Sequence, residues 1–215
     1  MTAFPSRLYV IGDADACARA GWTLPDFAAA CLDGGATLLQ IRAKQESSRA
    51  LLAQTEAIVR RAAAYDDARI IVNDRADIAW LAGAAGVHIG QDDLSPDAIR
   101  RIVGPDAVVG WSTHTPGQLV ASRTEPISYL AIGPVFRTST KDTGYDSVGL
   151  DRVRAAAEEA HRRPIPLVAI GGITLDRAQA VIDAGADPVA VITDLLVTND
   201  PRTRVEAYLA LLSRV

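Results

Sequence analysis

Eight short apolar runs recur along the whole chain, and they limit its folding more than any other feature. They are residues 7–11 (RLYVI), 36–41 (ATLLQI), 69–72 (RIIV), 86–89 (GVHI), 107–111 (AVVGW), 129–132 (YLAI), 166–170 (PLVAI) and 188–192 (PVAVI). They are rich in Val, Ile and Leu and do not alternate cleanly with polar residues, which is how strands buried on both faces of a parallel sheet read. Helical patterns lie between them. Val153, Ala156, Ala157 and Ala160 follow the i, i+3, i+4, i+7 spacing, and so do Val205, Tyr208, Leu209 and Leu212. Ser95-Pro96, Thr174 and Asp200-Pro201 stand at helix starts, offering a capping oxygen or a proline whose missing N–H costs nothing there. Eight strands alternating with helices over 215 residues predict one (β/α)8 barrel domain, residues 1–215. An open doubly wound sheet is the alternative.

The bulk numbers agree with a compact α/β barrel. Hydrophobic residues make up 49% of the chain, enough for a large core. A net charge of −4 argues against nonspecific nucleic-acid binding, which needs a basic face. Cys17 and Cys31 sit in no metal-ligand spacing and read as reduced packing residues. No stretch reads as a signal peptide or a membrane span, so the expectation is a cytoplasmic protein without membrane partners. The sequence leaves a homo-oligomer open.

In a barrel the strand-to-helix junctions share one face, and catalysis belongs there. The polar residues concentrate at those junctions. Gln40, Arg42 and Lys44 alternate onto one side of the second strand, where they form an anion cradle unless the strand end runs into solvent. Asn73 and Asp74 follow the third strand, and Gln91, Asp92 and Asp93 follow the fourth. Magnesium takes one or two carboxylates plus phosphates and waters, so Asp74 and Asp93 make a candidate pair. Asp92 competes for that role, and Asp93 could instead serve the turn or cap the helix near Ser95.

Ser112, after the fifth strand, can hydrogen-bond a ligand. His114 is either an acid–base group or structural, while His88 within its strand reads as packing and His161 as solvated. The segment 133–149 is long and polar, with hydroxyls at Thr138, Ser139 and Thr140 and a cation at Lys141. Such a loop can close over substrate and bring Lys141 to a leaving group; a plain surface loop is the alternative. Gly171-Gly172 and Thr174 open a helix after the seventh strand, and Ile192, Thr193 and Asp194 follow the eighth. These loops form the common phosphate site of barrels, with Asp194 expected to point away. Two anion sites facing each other, one metal-assisted and one not, suit joining a diphosphate to a monophosphate.

The motifs QIRAK, VNDRADIA, GVHIGQDDL, GWSTHT, YLAIGPVFRTSTK, PLVAIGGIT and AGADPVAVIT, in this order, resemble the thiamine phosphate synthase family along nearly the whole chain. The resemblance implies a (β/α)8 TIM-barrel transferase of thiamine biosynthesis. Such an enzyme couples 4-amino-2-methyl-5-pyrimidinylmethyl diphosphate to a thiazole phosphate, with or without a carboxyl group, and releases diphosphate with Mg2+. It further implies that Gln40, Arg42, Lys44, Asn73, Ser112 and Lys141 bind the pyrimidine diphosphate and that Asp74 and Asp93 hold the metal. Arg42, Lys44 and Lys141 would act on the leaving group, while Thr138, Thr140, Gly172, Ile192 and Thr193 bind the thiazole phosphate. The implied chemistry is dissociative, in keeping with the absence of a nucleophile–base motif. Thr193 stands where the family commonly has serine, Gly12-Asp13 where Thr-Asp is frequent, and Arg137 where proline is frequent. The rival readings are a thiazole tautomerase of the same superfamily and a non-catalytic phosphate-binding barrel. Gln91-Asp92-Asp93 and Thr140-Lys141 speak against the first, and a complete metal-plus-lysine set against the second.

Overall fold

The computed structural model describes Phe4, residues 6–137 and residues 146–213. All eight apolar runs form strands: β1 (Leu8–Asp13), β2 (Leu38–Arg42), β3 (Arg69–Asn73), β4 (Gly86–Ile89), β5 (Val108–Thr113), β6 (Tyr129–Ile132), β7 (Leu167–Ile170) and β8 (Val189–Val191). Each pairs in parallel with its sequence neighbour, and β1 pairs with β8, so the sheet closes into a barrel in chain order. The expected barrel is therefore the observed one, and the open sheet is excluded. The sequence pattern requires a cover on both faces of the sheet; the pairing of β1 with β8 is what closes it.

The two faces separate by the period of two. Tyr9, Ile11, Leu38, Ile71, Tyr129, Ala131, Val168 and Ala190 fill the barrel interior. Their neighbours Leu8, Val10, Leu39, Val72, Val87, Val109, Leu130 and Val191 point outward, into the layer beneath the helices. That outer layer is covered by α1 (Ala14–Arg19), α2 (Leu24–Asp33), α3 (Ser48–Ala62), α4 (Ala76–Leu81), α5 (Pro96–Val103), α6 (Pro116–Ala121), α7 (Gly149–Arg162), α8 (Leu175–Asp183) and α9 (Pro201–Leu212).

Two of the three expected helix starts carry a side-chain cap, while Thr174 stands at the N-cap of α8 without a side-chain cap bond. The Ser95 side chain accepts the Ala98 N–H at 3.3 Å, and Asp200 accepts the Thr203 N–H at 3.1 Å. Thr115 and Gln118 form a reciprocal capping box at α6, with Pro116 inside the first turn. On α7, Val153, Ala156, Ala157 and Ala160 are all buried, as their spacing predicts. Cys17 and Cys31 are free and buried, and burial pushes the Cys17 thiol up to about 12. No helix among the described residues is long and apolar enough to cross a membrane.

Candidate active site

The C-terminal ends of the strands surround a cavity of about 200 Å3. Gln40, Arg42, Asn73, Ser112, Gly172, Ile192 and Thr193 all line it, so residues dispersed over most of the chain share one mouth. Thr138, Thr140 and Lys141 lie outside the described residues.

One rim carries the charges. Register places Asp13 directly beside Arg42, and the two form an ion pair through Arg42 Nη1. Asp13 is 3% exposed and also accepts the Ala16 N–H at 2.9 Å, capping α1. It therefore fixes one arm of the Arg42 guanidinium, while the rest of the fork stays at the cavity wall. The sequence reading assigned Asp13 no role, although an acid ending a strand just before a helix is a capping signal.

Beyond Arg42, and outside the lining of the cavity itself, Lys44 Nζ stands 3.1 Å from Asp74 Oδ2. Asp74 has φ +63°, a left-handed conformation that few non-glycine residues adopt. Asp93 is raised above the usual carboxylate range. Partial burial is the main cause, opposed by the Gly90 N–H, and the charge and side-chain contact of Asp74 raise it further. Two carboxylates thus meet with a lysine ammonium beside them. Two carboxylates fit the few that magnesium needs when phosphates and waters complete its shell. No group of three or more His, Cys, Asp or Glu side chains converges among the described residues, as a protein-only cage would require. Asp93 also accepts the Gly90 N–H at 2.7 Å, so it serves its turn as well; the cap of α5 is Ser95, not Asp93.

The opposite rim is built from backbone. Gly171 and Gly172 have φ values of +107° and +61°. A methyl on Gly171 would lie 2.6 Å from Pro134, and one on Gly172 would strike the Arg137 carbonyl oxygen. Close approach of the segment after β6, whose Val135 and Phe136 N–H groups donate to Ile170 and Gly171, therefore demands glycine at both places. Thr193 begins a 3-10 turn, Thr193–Leu195, after β8. Asp194 is among the residues lining the cavity, and its Oδ2 is engaged by the Leu175 N–H at the start of α8, the Arg204 guanidinium and the Tyr208 hydroxyl.

The floor is polar as well. Gln40 Nε2 donates to the Tyr9 hydroxyl at 2.9 Å, and Tyr9 bonds Tyr129 at 3.0 Å. His88 joins Tyr129 through Nδ1 and Ser112 through Nε2, each at 2.8 Å. His88 is thus not simple packing: both ring nitrogens are engaged, because β4 aims it inward. Tyr9, Tyr129 and Asp13 are the residues that sequence reasoning missed. For the tyrosines the available signal was the period of two, which puts Tyr9 on the same face as Ile11. His114 lines the cavity with Nδ1 2.6 Å from the Gly133 carbonyl oxygen. His161 is exposed and pairs with Asp187 at 2.8 Å.

Residues 8–195 match the family model described as thiamine monophosphate synthase. The thiamine-phosphate synthase of Koribacter versatilis is 49% identical over 208 residues, 96% of this chain and 95% of that protein. The one from Haloarcula marismortui is 40% identical over 191 residues, 87% of this chain and 89% of that protein. Among solved structures, the thiamine phosphate pyrophosphorylase from Pyrococcus furiosus superposes with a TM-score of 0.84 at 28% identity, covering 96% of this chain and 95% of that one.

Proposed function

The chain belongs to the thiamine monophosphate synthase family of transferases, and from that premise we propose how its barrel mouth performs the coupling. Residues 1–215 act as one catalytic domain. The substrates are small molecules: 4-amino-2-methyl-5-pyrimidinylmethyl diphosphate and a thiazole phosphate. Gln40, Asn73 and Ser112 hold the pyrimidine end, and Arg42, Lys44 and Lys141 hold the diphosphate. Thr138, Thr140, Thr193, Ile192 and the Gly172 backbone hold the thiazole phosphate.

The meeting of Asp74, Asp93 and Lys44 at one rim carries this reading. Asp74 and Asp93 hold Mg2+, which when bound supplies positive charge to the diphosphate. The C–O bond of the pyrimidinylmethyl group breaks first, and its electron pair leaves on the diphosphate. Arg42 and Lys44 offset the developing negative charge, with Lys141 reaching the same oxygens. The aminopyrimidine ring spreads the positive charge left on the methylene carbon. The thiazole nitrogen, held by its phosphate on the opposite rim, then supplies the pair for the new C–N bond. No protein nucleophile takes part; positioning and electrostatics do the work.

The test is to mix the protein with both substrates and Mg2+. Diphosphate release that requires the thiazole phosphate supports the synthase. Isomerisation of a thiazole phosphate alone would mean a tautomerase, and no turnover would mean a binding protein.

A further inference from the structure

The floor of the barrel carries a hydrogen-bonded chain longer than packing requires. It runs Gln40–Tyr9–Tyr129–His88–Ser112; both of its ends line the cavity, as do Tyr9 and His88, while Tyr129 lies behind them. Its three middle members come from β1, β6 and β4. Tyr9 and Tyr129 are 1% and 0% exposed, so neither hydroxyl can fall back on bulk water. The barrel makes room for this chain: a methyl on Gly110 would run into the Tyr129 ring. The rings are also held edge to face and stacked, Tyr9 on Tyr129 at 6.0 Å between centroids and His88 on Tyr129 at 5.5 Å. Burial pushes both phenols up, so both stay protonated donors.

A hydroxyl has one proton, and a neutral imidazole has one N–H and one bare nitrogen. In the head-to-tail order every middle member of the chain both gives and receives. Gln40 N–H donates to Tyr9, Tyr9 to Tyr129, Tyr129 to His88 Nδ1, and His88 Nε2–H to Ser112. That order leaves the Gln40 carbonyl oxygen as an acceptor at one end. It leaves the Ser112 hydroxyl proton as a donor at the other. Reversing the chain reverses both ends, so the two cannot be set independently.

We propose that Tyr9, Tyr129 and His88 are positioning residues that fix the hydrogen-bond polarity of Gln40 and Ser112, making the site an acceptor–donor pair selective for an aminopyrimidine. This rests on the mouth being the pyrimidine diphosphate site. The Gln40 carbonyl accepts from the exocyclic amine, and Ser112 donates to an acceptor on the same substrate. Because the bonds polarise one another in series, loss of one middle link frees the Gln40 amide to turn.

The test measures binding of three probes to the full chain with Mg2+ and without thiazole phosphate. They are 4-amino-2-methyl-5-pyrimidinylmethyl diphosphate, the same molecule with hydrogen in place of the amine, and inorganic diphosphate. Tyr129→Phe is expected to weaken the first by roughly tenfold, equivalent to ~1.4 kcal/mol, to weaken the second by less, and to leave inorganic diphosphate unchanged. Tyr9→Phe is expected to do the same and carries the test should Tyr129→Phe not fold, which circular dichroism reports. Equal losses for all three probes, or undiminished preference for the amine, would overturn the proposal. The reading of the mouth fails separately: wild-type protein would then make no thiamine phosphate from both substrates.

Discussion

The Asp194 carboxylate offers the sharpest test of how the rim proposed for the thiazole phosphate is held. Its Oδ2 receives the Leu175 N–H at 3.2 Å, Arg204 Nη2 at 2.7 Å and the Tyr208 hydroxyl at 2.5 Å. The Asp194 side chain is 9% exposed and Arg204 20%. Asp194→Ala strands the Tyr208 hydroxyl, which is fully buried, and an unsatisfied buried hydroxyl costs about 1–3 kcal/mol. Arg204 retains some access to solvent, which keeps the whole loss at the low end of the range for a broken buried pair, about 3 kcal/mol. For a chain of this size that lowers Tm by about 6–12 °C. Urea and thermal unfolding followed by circular dichroism measure it, in a double-mutant cycle with Tyr208→Phe. The Asp194 and Tyr208 changes should be strongly non-additive, since the second removes a donor the first has already orphaned. The variant should also raise KM for the thiazole phosphate, because Asp194 fixes the turn that carries Thr193. Stability within about 0.5 kcal/mol of wild type, or additive losses in the cycle, would refute the account.

Asp93→Ala should lower kcat by roughly a hundredfold or more with an unchanged circular dichroism spectrum; undiminished activity with Mg2+ would transfer the metal role to Asp92 or to no acid. Lys141→Ala should slow single-turnover chemistry more than it weakens thiazole phosphate binding, and normal single-turnover rates would remove its leaving-group role. Gly172→Ala places a side chain at φ +61° against the Arg137 carbonyl oxygen, and should cost at least ~1–2 kcal/mol in stability from the left-handed backbone alone. It should also weaken thiazole phosphate binding, which isothermal calorimetry would read. Cys17 and Cys31 should resist thiol reagents in the folded protein and react once it is unfolded; rapid native labelling would contradict their burial.

The chemistry of single elements was legible along the chain. Apolar runs marked all eight strands, and Ser95, Asp200 and the spacing on α7 marked their helices. These signals are local: strand faces alternate by two, helix faces recur by 3.6, and a cap acts within one turn. The site was legible as a set of residue types at strand ends, because a barrel gathers its strand ends on one face whatever their separation in sequence. Tyr9 and Tyr129 escaped notice because each reads as an ordinary apolar strand residue until its partner is known.

Sequence by itself determined the order of strands and helices, the faces of each strand, and the pool of acids, cations and glycines at the barrel mouth. Closure decided the rest. Only the pairing of β1 with β2 sets Asp13 against Arg42, and only the folded rim brings Asp74 against Asp93 and Lys44. Likewise only the barrel interior joins Tyr9 to Tyr129, residues 120 positions apart. The reason is range: periodicity and capping act over a few residues, whereas these contacts depend on the register and curvature of all eight strands together.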